Sequence, residues 1–322
     1  MEGKIALGVD IGATWVRVAV ADNSGEILTK NKEAIRTSGE LEVSAQVIRL
    51  VKELIAELNS QKGNIIGIGI ASAGPMNREK GELVTPSNIP LEIVPLAQPL
   101  KDEFNTEVEL INDGVSAVLA ESKYGAGQGR ENIVYITIST GIGGGVIMDG
   151  NLLLGKNGNA AEVGHFTIDE EEKLKCGCGR RGHWEAYCSG SNIPNFVEMK
   201  LKSQDFQVYN SSLLEIMEGG FDGFRARDLF DLAKDGDEGA LELVEELGRL
   251  NAIGFATVTE AYDPELITIG GGVALNNPDL ILAPIKTKIE KYTQNEVPEI
   301  RITPLDENNV LYGAIARALT LG

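Results

Sequence analysis

Residues 4–30 and 133–153 follow one pattern: an apolar run, a glycine turn, a second strand, a polar turn and a third strand. In the first copy KIALGVDIG leads into Asp10-Ile11-Gly12-Ala13-Thr14, WVRVAVAD alternates apolar and polar residues, and DNSG turns the chain into EILTK. In the second, NIVYITIS leads into Thr140-Gly141-Ile142-Gly143-Gly144-Gly145, and GVIMDGNLLLG supplies a strand, a DG turn and another strand. Short apolar runs between turn residues read as strands. A unit repeated in order and length points to two similar half-molecules, and so to an α/β protein of duplicated design. A glycine turn alone reads equally well as a plain hairpin, since Asp and Gly are turn residues. Its backbone N–H groups can also form an anion nest, to which the Thr14 hydroxyl adds a donor. The carboxylate of Asp10, at a strand end, can hold Mg²⁺ through water. Two equivalent loops favour the second reading, with one polyphosphate meeting both.

Between and after the copies, helices and strands alternate. Val43, Val47, Leu50, Val51, Leu54, Ile55 and Leu58 recur at helical spacing over 40–60. A buried strand at 65–70 runs into Ala73-Gly74-Pro75 and a polar loop reaching TPSNIP at 85–90. VELIND at 108–113 is a strand ending in Asn112-Asp113, followed by the helix GVSAVLAESKYG. Late in the chain, ELITI at 265–269 leads into a third glycine run, Gly270-Gly271-Gly272. Its helical approach turns small at Gly248, Ala252, Gly254 and Ala256. RITPL reads as a strand and Tyr312 to Leu319 as a small-residue helix. Strands that end in glycine loops are where open α/β sheets place ligands. Residues 194–240 read as helical excursions without nameable chemistry.

Both histidines and two of the three cysteines fall within the nineteen residues from His165 to His183. Imidazole nitrogen and thiolate sulfur are the ligands Zn²⁺ prefers, and His165, Cys176, Cys178 and His183 would close a tetrahedral structural site. Gly177, Gly179 and Gly182 let so short a loop turn tightly. Glu162 and Glu185 bracket the ligands, and neither carboxylate suits a purely structural knuckle. Cys188 reads as a small buried residue or a bystander.

Composition sets the outer bounds. A chain of 322 residues exceeds one ordinary core, so two domains are expected. A net charge of -19 opposes nucleic acid or an anionic membrane surface as partner, but not a small anion held by local donors. Three cysteines, two of them claimed by a metal, fit a reducing compartment. MEGKIALGVDIG lacks the pattern of a signal peptide, no uncharged run spans a bilayer, and a cytoplasmic location is expected.

Asp10 and Asp113, read as lying at the ends of adjacent strands, suggest phosphoryl transfer when joined to two glycine loops. That chemistry needs donors around the phosphates, Mg²⁺, and a base for the attacking hydroxyl. Asp113 is the expected base, because it follows a strand, begins a helix and has Asn112 beside it. Asn112, Glu162, His165 and Glu185 accept and donate in several directions, which suits a polyhydroxylated acceptor. His165 would place one ring nitrogen on zinc and leave the other for a sugar oxygen.

The series DIGAT, NDG, STGIGGG, ExGH, CxCGxxG with a following Glu, and IGGGV resembles the ROK family of sugar kinases over essentially the whole chain. The resemblance implies the actin-like/hexokinase-like ATPase fold, with two α/β domains closing over the sugar. They would be a smaller one of 1–112 plus about 303–322, and a larger one of 113–302 carrying the zinc loop. It implies ATP-dependent phosphorylation of a hexose at the 6-hydroxyl, with glucose or a broad range of hexoses favoured and an N-acetylhexosamine (GlcNAc or ManNAc) as the alternative. Carried over residue by residue, Asp113 is the catalytic base. The sugar contacts are Asn112, Asp113, Glu162, His165, Glu185, Gly74 and Asn88. Nucleotide and phosphate contacts fall on Asp10, Gly12, Ala13, Thr14, Thr140, Gly141, Gly271 and Gly272. Structural Zn²⁺ falls to His165, Cys176, Cys178 and His183, and Mg²⁺ comes with ATP. The fourth zinc position is usually cysteine, whereas this chain reads CGCGRRGH. The family's repressors carry an N-terminal DNA-binding segment, for which a first strand at residue 4 leaves no room. A non-catalytic sensor is disfavoured by the intact Asp113 and phosphate loops. The resemblance also implies a homodimer.

Overall fold

The computed structural model describes residues 3–58, 64–86, 89–203, 206 and 211–322. Strands β1 (Lys4–Ile11), β2 (Trp15–Asp22) and β3 (Ile27–Ala34) form an antiparallel meander. Helix α1 (Glu42–Glu57) buries Val43, Val47, Leu50, Val51 and Leu54, the apolar stripe legible in its spacing. It crosses over to β4 (Asn64–Ser72), which runs parallel to β1. A small antiparallel sheet follows, of β5 (Met76–Asn77), β6 (Glu82–Val84) and β7 (Ile93–Pro95). Then come α2 (Ala97–Phe104), β8 (Val108–Asn112) parallel to β4, and α3 (Asp113–Tyr124).

The second copy opens with β9 (Ile133–Ile138), β10 (Ile142–Met148) and a short β11 (Asn151–Leu152). Helices α4 (Glu185–Cys188), α5 (Ile193–Leu201), α6 (Leu213–Gly219), α7 (Ala226–Lys234) and the long α8 (Glu238–Tyr262) precede β12 (Leu266–Gly270). The chain closes with α9 (Gly272–Asn276), α10 (Pro278–Lys288), β13 (Glu299–Ile302) and α11 (Asn309–Leu319).

The two five-stranded sheets have orders β3-β2-β1-β4-β8 and β11-β10-β9-β12-β13. Position by position these match, with β12 parallel to β9 as β4 is to β1, so the repeat read in the sequence is a repeat of topology. The sequence placed Asp10 and Asp113 at the ends of adjacent strands, and this is corrected. β4 lies between β1 and β8, with Ser72 in register with Ile11 on one side and Asn112 on the other. The α1 crossover returns β4 to the free edge of β1, so β8 can only add beyond it. Ser72 is buried and donates its hydroxyl to the Ile11 carbonyl at 2.8 Å, tying the two strand ends.

The chain divides into two compact units, one of residues 1–131, 145–161 and 304–322, the other of 132–144 and 162–303. The expected division at 112/113 differs because α3 packs against α11. Ser116 Oγ donates to the Val310 carbonyl at 2.7 Å, and a Cβ on Gly313 would sit 1.6 Å from the Ser116 carbonyl oxygen. In the first unit the sheet is covered on one face by α1, with Leu7, Val9, Ile68 and Ile70 in the core. Against the other face α11 lies so close that a Cβ on Gly69 would meet the Ala314 carbonyl oxygen at 2.0 Å.

Candidate active site

In the first unit, Asp10 is the penultimate residue of β1, in register with Arg17 of β2, which is in turn in register with Lys32 of β3. An Arg17 guanidinium nitrogen lies 3.4 Å from Asp10 Oδ2. Burial nevertheless raises the Asp10 carboxyl to about 6; Arg17 opposes the rise and the Asp113 charge adds to it. Asp113 opens α3, with Asn112 as the N-cap residue. The Gly114 N–H donates to both Asn112 Oδ1 and Asp113 Oδ1 at 2.8 Å, which fixes the two side chains at the strand-to-helix corner. Burial raises the Asp113 carboxyl above the ordinary range, against the lowering effect of that N–H bond. A carboxylate that holds protons more tightly than usual in a fixed position is suited to general-base work.

The Gly12-Ala13-Thr14 turn caps the β1–β2 hairpin, the Gly12 N–H donating to the Trp15 carbonyl at 2.9 Å. Ala13 and Thr14 are exposed, and no acceptor among the described residues takes their N–H groups, which leaves two donors for a phosphate. Gly74 lies just past β4, where an added Cβ would stand 3.9 Å from Asn159 Oδ1. Asn88 lies outside the described residues.

In the second unit the ligating atoms of His165, Cys176, Cys178 and His183 lie within 4.8 Å of one another. Cys176 Sγ is 3.7 Å from His165 Nδ1, and Cys178 Sγ is 3.3 Å from His183 Nδ1. A tetrahedron with Zn–S of about 2.3 Å and Zn–N of about 2.0 Å has edges of about 3.3–3.8 Å, so both thiol–imidazole pairs match such an edge, while the four atoms as a set spread up to 4.8 Å. Both imidazoles turn Nδ1 inward, which leaves Nε2 of His165 for another partner. Burial and the charge of His165 lower His183, favouring the neutral imidazole that ligates. Burial first, and then Glu185, push the Cys176 thiol up to about 12, so a cation is needed to hold the thiolate. The loop itself is closed by Ile168 and Asp169 N–H groups on the Gly182 carbonyl and by Tyr187 Oη on Asp169 Oδ2.

Glu185 opens α4 two residues after His183. Its Oε1 lies 3.3 Å from Cys176 Sγ, and its Oε2 accepts the Ile142 N–H at 2.9 Å, beside Thr140 and Gly141. Glu162 is exposed, and its carbonyl accepts the His165 N–H at 3.0 Å. Gly270 ends β12, Gly271 takes φ +87°, and Gly272 opens α9. A Cβ on Gly271 would meet Thr137 Oγ1 at 2.5 Å, so glycine is required there by both conformation and space.

Two supporting residues escaped the sequence reading. Trp184, between His183 and Glu185, is fully buried and stacks edge-on against Phe255. Gly254 makes its notch, since a Cβ there would reach 2.4 Å from the indole. The run of small residues on α8 was the available signal for such a notch, and Asn251, the indole's hydrogen-bond partner, carried none. Cys188 is buried, with Sγ 3.8 Å from the Leu247 carbonyl and away from the cluster of ligands.

A family model described as ROK family matches residues 6–320. The chain belongs to the ROK family. Among ROK relatives, the glucokinase of Pyrobaculum calidifontis is 35% identical over 314 residues, spanning 97% of this chain and 94% of that protein. The ROK hexokinase of Thermus thermophilus superposes with a TM-score of 0.83 at 30% identity, covering 98% of each chain. A ROK family glucokinase from Streptomyces griseus, solved with glucose and AMPPNP, gives a TM-score of 0.74 at 27% identity over 98% of this chain and 99% of that one. The fold is therefore the two-unit, actin-like/hexokinase-like α/β fold of ROK kinases.

Proposed function

We propose that this protein transfers the terminal phosphoryl group of MgATP to the 6-hydroxyl of a hexose, with glucose as the preferred acceptor. The observation that carries the reading is Asp113, a partly buried carboxylate with a raised proton affinity at the corner of β8 and α3. It stands in a chain 35% identical along nearly its whole length to a glucokinase.

Asp113 takes the hydroxyl proton as the oxygen attacks, and the Gly114 N–H holds its carboxylate in place. Ala13 and Thr14 donate backbone N–H groups to the phosphoryl oxygens. Asp10 would hold magnesium through water, and the ion, when bound, would offset phosphate charge. Thr140, Gly141, Gly271 and Gly272 receive the nucleotide. Asn112, Glu162, Glu185, the Nε2 of His165, Gly74 and Asn88 hold the sugar hydroxyls. Zinc, held by His165, Cys176, Cys178 and His183, would serve as a structural ion that fixes the sugar loop and the His165 tautomer.

The test is ADP release from MgATP over glucose, mannose, glucosamine, N-acetylglucosamine, N-acetylmannosamine and fructose. The highest kcat/KM is expected with glucose. Absence of turnover with every hexose would overturn the kinase reading, and a preference for an N-acetylhexosamine would overturn the choice of substrate.

A further inference from the structure

The three residues His183, Trp184 and Glu185 join the metal cluster to more than a sugar contact. Glu185 places Oε1 3.3 Å from Cys176 Sγ and Oε2 2.9 Å from the Ile142 nitrogen, whose N–H it accepts. Ile142 follows the Thr140-Gly141 turn. The segment leaving α4 also bonds to the same turn. The Gly190 N–H donates to the Ser139 carbonyl at 2.7 Å and the Ser191 N–H to the Thr140 carbonyl at 3.1 Å. Space is as restricted as polarity. A Cβ on Gly141 would lie 2.6 Å from Glu185 Oε2, and a Cβ on Gly190 would lie 2.7 Å from the Ser139 carbonyl oxygen.

A carboxylate needed only for sugar hydroxyls has no reason to cap a backbone N–H of a phosphate turn. Three hydrogen bonds from one short segment fix the turn's Ser139 and Thr140 carbonyls and its Ile142 N–H. The donors left to a phosphate are thereby aimed in advance, which lowers the ordering cost of binding. The segment's own position is set at its start by His183 in the metal cluster and by Trp184 in its notch on α8.

We propose that α4 and its flanking residues couple the His165–Cys176–Cys178–His183 cluster to the Thr140-Gly141 turn, so that the cluster governs nucleotide affinity as well as the sugar loop. Glu185 is in this respect a positioning residue for the nucleotide turn. The inference rests on the kinase reading above, through the assignment of that turn to phosphate.

Calorimetric titration of MgADP into the full-length protein, with no sugar present, tests it. Three preparations are compared: wild type, Glu185→Gln, and wild type stripped of metal by a chelator. Metal content and thermal midpoint are measured on each. Glu185→Gln keeps the shape of the side chain but supplies one carbonyl oxygen in place of two acceptors. The expected result is a Kd for MgADP at least about fivefold weaker in both altered preparations, while Glu185→Gln keeps its metal and its thermal midpoint. A role limited to sugar contact predicts no change in either Kd. An unchanged Kd for Glu185→Gln overturns the proposal even if the stripped protein unfolds. Wild type that binds MgADP and phosphorylates a hexose would keep the kinase reading in that event, whereas wild type that binds no nucleotide would remove both.

Discussion

The indole nitrogen of Trp184 donates to Asn251 Oδ1 at 2.9 Å, with both residues buried. This bond pins a residue lying between a candidate metal ligand and a candidate sugar contact to the middle of α8. Replacing Asn251 by leucine leaves the indole N–H in the core without an acceptor. The expected cost is about 1–3 kcal/mol in chemical denaturation. Because Trp184 adjoins both His183 and Glu185, the hexose KM should rise several-fold while kcat changes less. An Asn251→Leu protein with normal stability and normal KM would show that the bond anchors nothing.

His183 falls on a zinc position read by resemblance as usually cysteine, and its Nδ1 lies 3.3 Å from Cys178 Sγ and within the four-atom cluster. His183→Ala should lower metal affinity by on the order of tenfold or more, since even outer partners of a metal site cost that much. Thermal midpoint and bound zinc should fall together. His183→Cys restores a fourth ligand and should retain the ion. Full metal content in His183→Ala, measured by elemental analysis, would remove His183 from the site.

Two partly buried carboxylates, Asp10 and Asp113, set a pH dependence of definite sign. Asp113 must be deprotonated to act as base, and its affinity for a proton is raised by burial. Activity is therefore lost as pH falls through a value above the ordinary aspartate range of about 4. Asp10, raised to about 6, is expected to join the same acid limb through its proposed role at magnesium. Stability runs the other way. The folded protein binds the Asp10 proton more tightly than the unfolded chain, whose value is 3.8, so that contribution is full below 3.8 and lost as pH rises through about 6. Asp10→Asn should therefore be more stable than wild type at pH 8 by up to about 3 kcal/mol, at 1.36 kcal/mol per pKa unit. Loss of the partner of Arg17 will reduce the gain. The difference should shrink in denaturation at pH 5, and a difference that grew on acidification would contradict the assignment.

How much of this was legible in the sequence depended on whether the signal was local. The strand–glycine–strand repeat and the His165-to-His183 cluster are patterns within short windows, and both appear in the structure as the matched sheets and the four convergent ligand atoms. The Asn112-Asp113 corner was readable for the same reason, as a strand end meeting a helix start. Which strand lies beside which was not readable. β4 separates Asp10 from Asp113 because of a crossover, and nothing in either aspartate's neighbourhood records it. The unit boundary was hidden similarly, since α3 is kept with the N-terminal unit by its contact with Gly313, two hundred residues later. Asn251 sits among small and apolar residues of α8, and only the fold shows that its amide faces an indole.

The central claim is that Asp113 deprotonates the 6-hydroxyl of a bound hexose. Formation of glucose 6-phosphate from MgATP, compared between wild type and Asp113→Asn alongside glucose affinity by calorimetry, tests it most directly. The account predicts a kcat lower by about 10²–10⁴-fold in the variant, the range ascribed to general-base catalysis, with glucose affinity within about threefold of wild type. Turnover by Asp113→Asn within about tenfold of wild type would contradict it.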